Sequence, residues 1–404
     1  METKKKSILK LDIPESDNGV LISDLFKLLI STDETADKVK EILSSQFELS
    51  EFIPISGAKT LVNSQIIQNK SYSKKDLVSN LENITFYFEN TFTINFNNIS
   101  NPENFGGNTF LVTYPKYSAQ RDFFSTLYSM DRYAKKLVDK GLKKILETNL
   151  ELLKNEKIKD KKYRLIHYKP DNKYYLRAIV STDNYFDYNN SISVVIALLT
   201  LYKEVKSSGI AYSLKLCEYN ESNIRMFFDT TSDKELEGVG FVKNIIEISN
   251  DEIKREALRF SGVCTISYDK NKKEKEIYIK PKDVKSKILA IKHNQKPENG
   301  LKSLTDFENV DKVHQELYED IKTIKNINNT EQIKFLVRRK IDNAKNEDIK
   351  KFKTSILNEL TNTMTKNVID LLNLFNNIQV LTNEDIEASE YLRYVIYEAL
   401  INRK

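Results

Sequence analysis

The sequence predicts an α+β fold: a central, mainly antiparallel sheet with packed helices, followed by a C-terminal all-helical domain. Three observations carry this. Leu176, Ala178 and Val180 alternate with Arg177, Ile179 and Ser181, the period of two that marks a strand. The longest apolar run, Ser191 to Tyr202, follows an Asp/Asn-rich segment from Asp183 to Asn190. That is turn chemistry feeding a buried helix that continues through Lys203, with Ser191 or Ser193 as its cap. Beyond about Lys282, apolar residues recur at three-and-four spacings, the period of helices.

Taken in order, Leu21 to Leu29 reads as a short amphipathic helix capped by Ser23 or Asp17, and Thr35 to Leu43 as a second. Phe52 to Ile67 is mixed, punctuated by Pro54 and Gly57. Ile84 to Phe96 is aromatic and β-branched and reads as strand, as does Phe110 to Tyr114; a polar loop from Asn97 to Asn108 lies between them. From Ser118 the helical period takes over, with Gly141 a division point and Lys135, Lys136, Lys140, Lys143 and Lys144 making one portion cationic. The charged run Lys154 to Lys162 reads as a linker. Tyr163 to Tyr168 and Tyr174 to Ser181 form a hairpin across Pro170, Asp171 and Asn172, and Ala211 to Tyr219 with Ile224 to Asp229 forms a second. Ile245 to Glu252 and Ala257 to Tyr268 are further strands, with a bend at Asn250 and Asp251. Lys270 to Lys275 is a solvated tip, and Ile277 to Ile279 a closing strand.

Eleven lysines against four acids between Lys270 and Lys302 mark an exposed connection. Helices are then expected over Phe307 to Ile327, Thr330 to Lys345, Asn346 to Leu374 and Asn383 to Asn402, the last capped by Thr382. Ile356, Leu360, Met364, Val368, Leu371, Leu372 and Phe375 have heptad-like spacing, which suits an internal core first and an oligomer seam second. The expected domains are therefore residues 1–160, a mixed region ending in a long basic helix, 161–281, a central antiparallel α+β domain, and 282–404, helical.

The chain of 404 residues has room for two or three domains of about 100–200 residues each. Its apolar fraction of 40% supplies real cores, and a net charge of +5 permits an anionic partner without demanding one. The two cysteines, Cys217 and Cys264, both fall in strand-like sequence, which argues against a disulfide framework and for a reducing compartment. A start of Met-Glu-Thr-Lys-Lys-Lys lacks the apolar segment of a signal peptide, and no run reaches the roughly 18 apolar residues of a membrane span. A cytoplasmic location in a bacterial host is the expectation. Abundant Asn, Lys and Ile fit an AT-rich bacterial or phage genome.

The search for chemistry excludes more than it finds. Phosphate-cradling glycine loops are absent, and Gly238-Val-Gly240 is too short to stand in for one. His167, His293 and His314 lack neighbours at zinc-ligand spacing. Asp183 with Asp187, or Glu247 with Asp251 and Glu252, offer carboxylates for a divalent cation, but they sit where Asp serves turns. No catalytic residue, metal or cofactor is expected.

Strand Arg177 to Ser181 with its Asn-containing turn and helix, then Ile246 to Glu252 and Val263-Cys264-Thr265, resembles the phage/plasmid-like protein family of unknown function. Asp251 replaces the family's Ser, Ile266 stands in place of Asn, and the glycine after the Glu is missing. The resemblance covers Tyr174 to Tyr268 and implies a mobile-element origin and a non-enzymatic accessory role.

What remains positive is charge beside aromatics. Lys334, Arg338, Arg339 and Lys340, then Lys350, Lys351 and Lys353, fall on consecutive helical turns suited to phosphate contacts, with Lys345 between them. Tyr174, Tyr175, Tyr185 and Tyr188 near Arg177 can stack bases. The expectation is a nucleic-acid-binding accessory protein whose contacts are Arg177 and those basic residues. Two alternatives stand beside it: an inhibitor that binds a host defence complex stoichiometrically, and a virion-associated or assembly protein. A homo-oligomer through the C-terminal helices is a further option that the sequence leaves open.

Overall fold

The computed structural model describes residues 9–29, 34–88, 91–154, 160–182, 185–253, 258–268, 275–282, 285–302, 307 and 309–403. Asp183, residues 155–159 of the expected linker and residues 270–274 of the expected tip lie outside the described residues. In chain order the strands are β1 (Leu9–Lys10), β2 (Val20–Leu21), β3 (Phe52–Ile53), β4 (Tyr72–Ser79), β5 (Ile84–Tyr87), β6 (Thr93–Phe96), β7 (Leu111–Pro115), β8 (Lys161–Tyr168) and β9 (Lys173–Ser181). They continue with β10 (Tyr212–Tyr219), β11 (Asn223–Leu236), β12 (Gly240–Asp251), β13 (Leu258–Ser267), β14 (Glu276–Ile279) and β15 (Lys287–Ile291).

The fold is α+β, with two large sheets rather than one. A six-stranded sheet runs β4-β8-β9-β7-β6-β5. It is antiparallel except where β7 and β9 run parallel. A seven-stranded sheet runs β1-β10-β11-β12-β13-β14, with β15 also on β13, and β2 pairs β3 separately. The boundary expected near residue 160 therefore falls inside the six-stranded sheet, because the hairpin of β8 and β9 inserts between β4 and β7.

Each sheet has its own core. The helical turn Phe123–Leu127 and helices Asp131–Asp139 and Lys143–Leu153 put Phe123, Leu137, Leu146 and Leu150 against Ile94, Phe96, Leu165 and Leu176 of the six-stranded sheet. Positive φ angles at Ser129 (55°) and Gly141 (71°) divide what the sequence presents as one long helix. The larger core joins helices Glu34–Ser44 and Ala58–Ser71, the seven-stranded sheet and the C-terminal helices around the helix Asn190–Ser208. That helix is buried from Asn190 to Tyr202, and its cap is the Asn189 side chain, accepting from Ile192 N at 3.0 Å, instead of a serine.

The C-terminal region is helical: Val310–Lys322, Thr330–Asp342, Glu347–Lys350, Lys353–Asn362, Val368–Leu381 and Ile386–Tyr397. The helix expected over Asn346 to Leu374 is broken, and Met364 stands 83% exposed at the break while Ile356, Leu360, Val368, Leu371, Leu372 and Phe375 are buried. The heptad-like stripe is thus filled within the chain. Asp385, not Thr382, caps the last helix, accepting from Glu387 N and Ala388 N. Helix Val310–Lys322 crosses β13 so closely that a Cβ at Gly262 would lie 2.6 Å from Val313. Among the described residues no helix is long and apolar enough to cross a membrane.

Candidate nucleic-acid interface

Helix Thr330–Asp342 is the element on which most of the sequence-derived contacts fall. Asn329 caps it, accepting from Gln332 N at 3.0 Å. Ile333, Leu336, Val337 and Ile341 recur at three-and-four spacing and are buried, which fixes the opposite face outward. That outer face carries Phe335, 60% exposed, followed three and four residues later by exposed Arg338 and Arg339. Lys340 is half-buried and Lys345 exposed. Among the described residues Arg339, Lys340 and Lys345 hold no carboxylate. Arg338 is close enough to help lower the Asp342 carboxyl, but Asp342 is paired to Lys353 at 2.8 Å, whose bond is the leading cause of that lowering.

The other nominated cations are spent. Lys334 is buried, donating to Glu331 at 2.9 Å and to the Thr363 carbonyl at 2.7 Å, and so ties its helix to the loop that bears Met364. Lys350 pairs with Glu347 at 2.7 Å, and Lys351 with Asp385 at 3.3 Å and Asp348 at 3.6 Å. The Lys350–Glu347 pair is exposed on both sides and so weak and exchangeable, whereas Asp385 is buried. Lys350 is the main cause of a lowered Glu347 carboxyl, and Lys135 of helix Asp131–Asp139 contributes to it. The cationic helix Asp131–Asp139 presents exposed Arg132, Lys135 and Lys136.

Arg177 is not part of this surface, which corrects the sequence reading. It is fully buried between the sheets, where its Nη1 donates to Glu252 Oε2 at 2.7 Å and to Ser222 Oγ at 3.2 Å, while Nε and Nη2 meet no acceptor. Glu252 follows β12 and is the hub of the junction. Its Oε1 accepts from Lys74 of β4 and from the Asn190 backbone N–H at 2.7 Å, the first turn of the buried helix. Arg164 of β8 donates to the Glu252 carbonyl and pairs with Asp187. Burial pushes the Glu252 carboxyl up, but Lys74, Arg177 and Arg164 together outweigh it and hold the group well below the ordinary carboxylate range.

A second buried network joins the seven-stranded sheet to the last helix. Glu247 pairs with Arg225 at 3.0 Å and Lys280 at 2.7 Å; Lys280 also reaches Glu390 at 2.9 Å, and Arg393 reaches Glu218 at 3.2 Å. Glu247 and Glu252, considered as metal ligands from sequence, are thus neutralised by cations. Among the described residues no group of acids, histidines and cysteines is placed to hold a metal ion. Burial pushes both thiols up, Cys217 and Cys264 alike. His293 and His314 are buried against backbone carbonyls, and burial lowers both.

The tyrosines divide differently from the sequence reading. Tyr188 is buried with its hydroxyl on the Gln295 carbonyl, Tyr185 donates to the Glu252 carbonyl, and Tyr174 stacks on His167 at 4.4 Å. Of the four, Tyr175 alone joins other tyrosines, facing Tyr114 at 5.9 Å. Phe335 went unnoticed in the sequence, although an aromatic on the polar side of a helical pattern is a readable signal. Comparison of the chain with protein-family models, with curated proteins and with solved structures finds no match in any of the three.

Proposed function

We propose that this protein binds nucleic acid without catalysing a reaction on it, as an accessory protein of phage or plasmid origin. The observation that carries the reading is the outer face of helix Thr330–Asp342, where exposed Phe335 is followed by exposed Arg338 and Arg339. An aromatic face stacks on a base whatever its identity, and adjacent guanidiniums meet the flanking phosphates.

The test is anisotropy of labelled single-stranded and duplex oligonucleotides across a salt series. Affinity should fall linearly on logarithmic axes. The Arg338→Glu/Arg339→Glu variant should bind at least about tenfold more weakly, with a salt slope shallower by about one for each phosphate that the arginines neutralise. Unchanged binding in that variant overturns the assignment. A second reading, stoichiometric binding of a host protein, draws on exposed Met364 beside Phe335's helix. It predicts a complex of fixed stoichiometry that survives nuclease.

A further inference from the structure

Four strands that neighbour one another in the six-stranded sheet, in the order β4-β8-β9-β7, place a row of tyrosines on one face. Register sets Tyr72 opposite Tyr168 and Tyr114 opposite Tyr175. The rings of Tyr72 and Tyr168 are stacked at 5.0 Å, and those of Tyr114 and Tyr175 lie 5.9 Å apart. Register sets Tyr168 opposite Lys173, two residues before Tyr175 on the same face of β9, so the pairs form one row. All four rings are half-buried, with part of each surface open to solvent. The opposite face of this sheet is closed by its own helices, so the row occupies the side that leads into the buried Glu252 junction.

Two acids lie at the row: Glu221 is paired with Lys116, and Asp171 accepts from the Tyr175 hydroxyl at 2.6 Å and keeps its charge. Lys70, Lys169 and Lys173 are exposed and hold no carboxylate among the described residues. Lys169 N donates to the Ser71 carbonyl beside Tyr72, and the Lys173 ammonium lies 5.4 Å from the Tyr114 ring centre. Free cations on a half-open aromatic row suit a ligand that is both planar and anionic. A neutral sugar would use the rings and leave the lysines idle, while a duplex hides the base faces that the rings could meet.

We infer that this row is a second contact site, for a short single-stranded nucleic-acid segment whose bases stack on Tyr72, Tyr168, Tyr175 and Tyr114 while Lys169 and Lys173 meet its phosphates. The inference rests on the nucleic-acid reading but uses a different surface. Two or three bases fit such a strand-borne platform.

The experiment compares anisotropy of an oligothymidylate of about ten nucleotides with that of an abasic strand of equal length, using the full chain and three variants. Tyr72→Leu/Tyr168→Leu keeps apolar bulk and removes the stacking faces; Lys169→Glu/Lys173→Glu changes exposed groups alone, so it remains informative if the tyrosine variant does not fold. Both should weaken oligothymidylate binding about tenfold or more, and the abasic strand should bind the unaltered protein correspondingly worse. Binding abolished in Arg338→Glu/Arg339→Glu but kept in both sheet variants overturns the platform and leaves the helix reading standing. Equal binding of the abasic strand likewise overturns it. No binding of any strand by the unaltered protein, even at low salt, overturns both.

Discussion

Glu252 shows at single-residue scale how the sequence misleads. Arg177 alternates with apolar neighbours, which in an isolated hairpin marks the wet face, yet a second sheet covers that face and supplies a carboxylate 75 residues further along the chain. No local pattern encodes such a partner. Replacing Glu252 with Gln leaves Lys74 and Arg177 facing an uncharged group in a dry junction, while Arg164 keeps Asp187, a loss of about 3–5 kcal/mol. Urea denaturation at neutral pH measures it. The carboxyl's pKa is depressed in the folded state, so its contribution is present above the ordinary value of 4.5 and is lost as pH falls through the folded value of about 2. Stability of the unaltered protein should therefore drop across that acid range, and the Gln variant should show a smaller drop.

Whole elements were legible where one period dominates. β9, the helix Asn190–Ser208 and most C-terminal helices are foreseen because packing follows the period of two or of 3.6. Helix Ala58–Ser71 is hidden, because buried Ser64, Gln65 and Gln68 interrupt its apolar stripe. Its start is also concealed: Asp17, which looks like a cap for the helix that follows it in sequence, instead accepts from Lys59 N at 3.3 Å and Thr60 N at 2.6 Å. Asp17→Ala should cost about 0.5–2 kcal/mol, the range for removing an N-terminal cap, read as a lower thermal midpoint. On the candidate interface, the period places Arg338 and Arg339 outward but cannot show that Lys334 turns in toward Thr363. Such a bond depends on a loop that arrives 29 residues later.

Over the whole molecule two large cores meet across a junction where the Glu252 charge network sits beside a small apolar contact of Ala178, Val180 and Ile253. Cohesion between the sheets then depends on ionisation in a way that cohesion within each does not. Calorimetry near neutral pH should give one transition; below about pH 3, or in Glu252→Gln, it should split in two. A single acid transition would show that apolar contact alone couples the sheets. The other junction sets a schedule. Glu218, buried in β10, is met by Lys10 at 3.8 Å and by Arg393 at 3.2 Å, from opposite ends of the described chain. A ribosome adding about 5–20 residues per second makes Arg393 between roughly 10 and 35 seconds after Glu218, since 175 positions separate them. Through that interval the carboxylate lacks its closest cation, so the seven-stranded sheet reaches its final form only after the last helix has been synthesised.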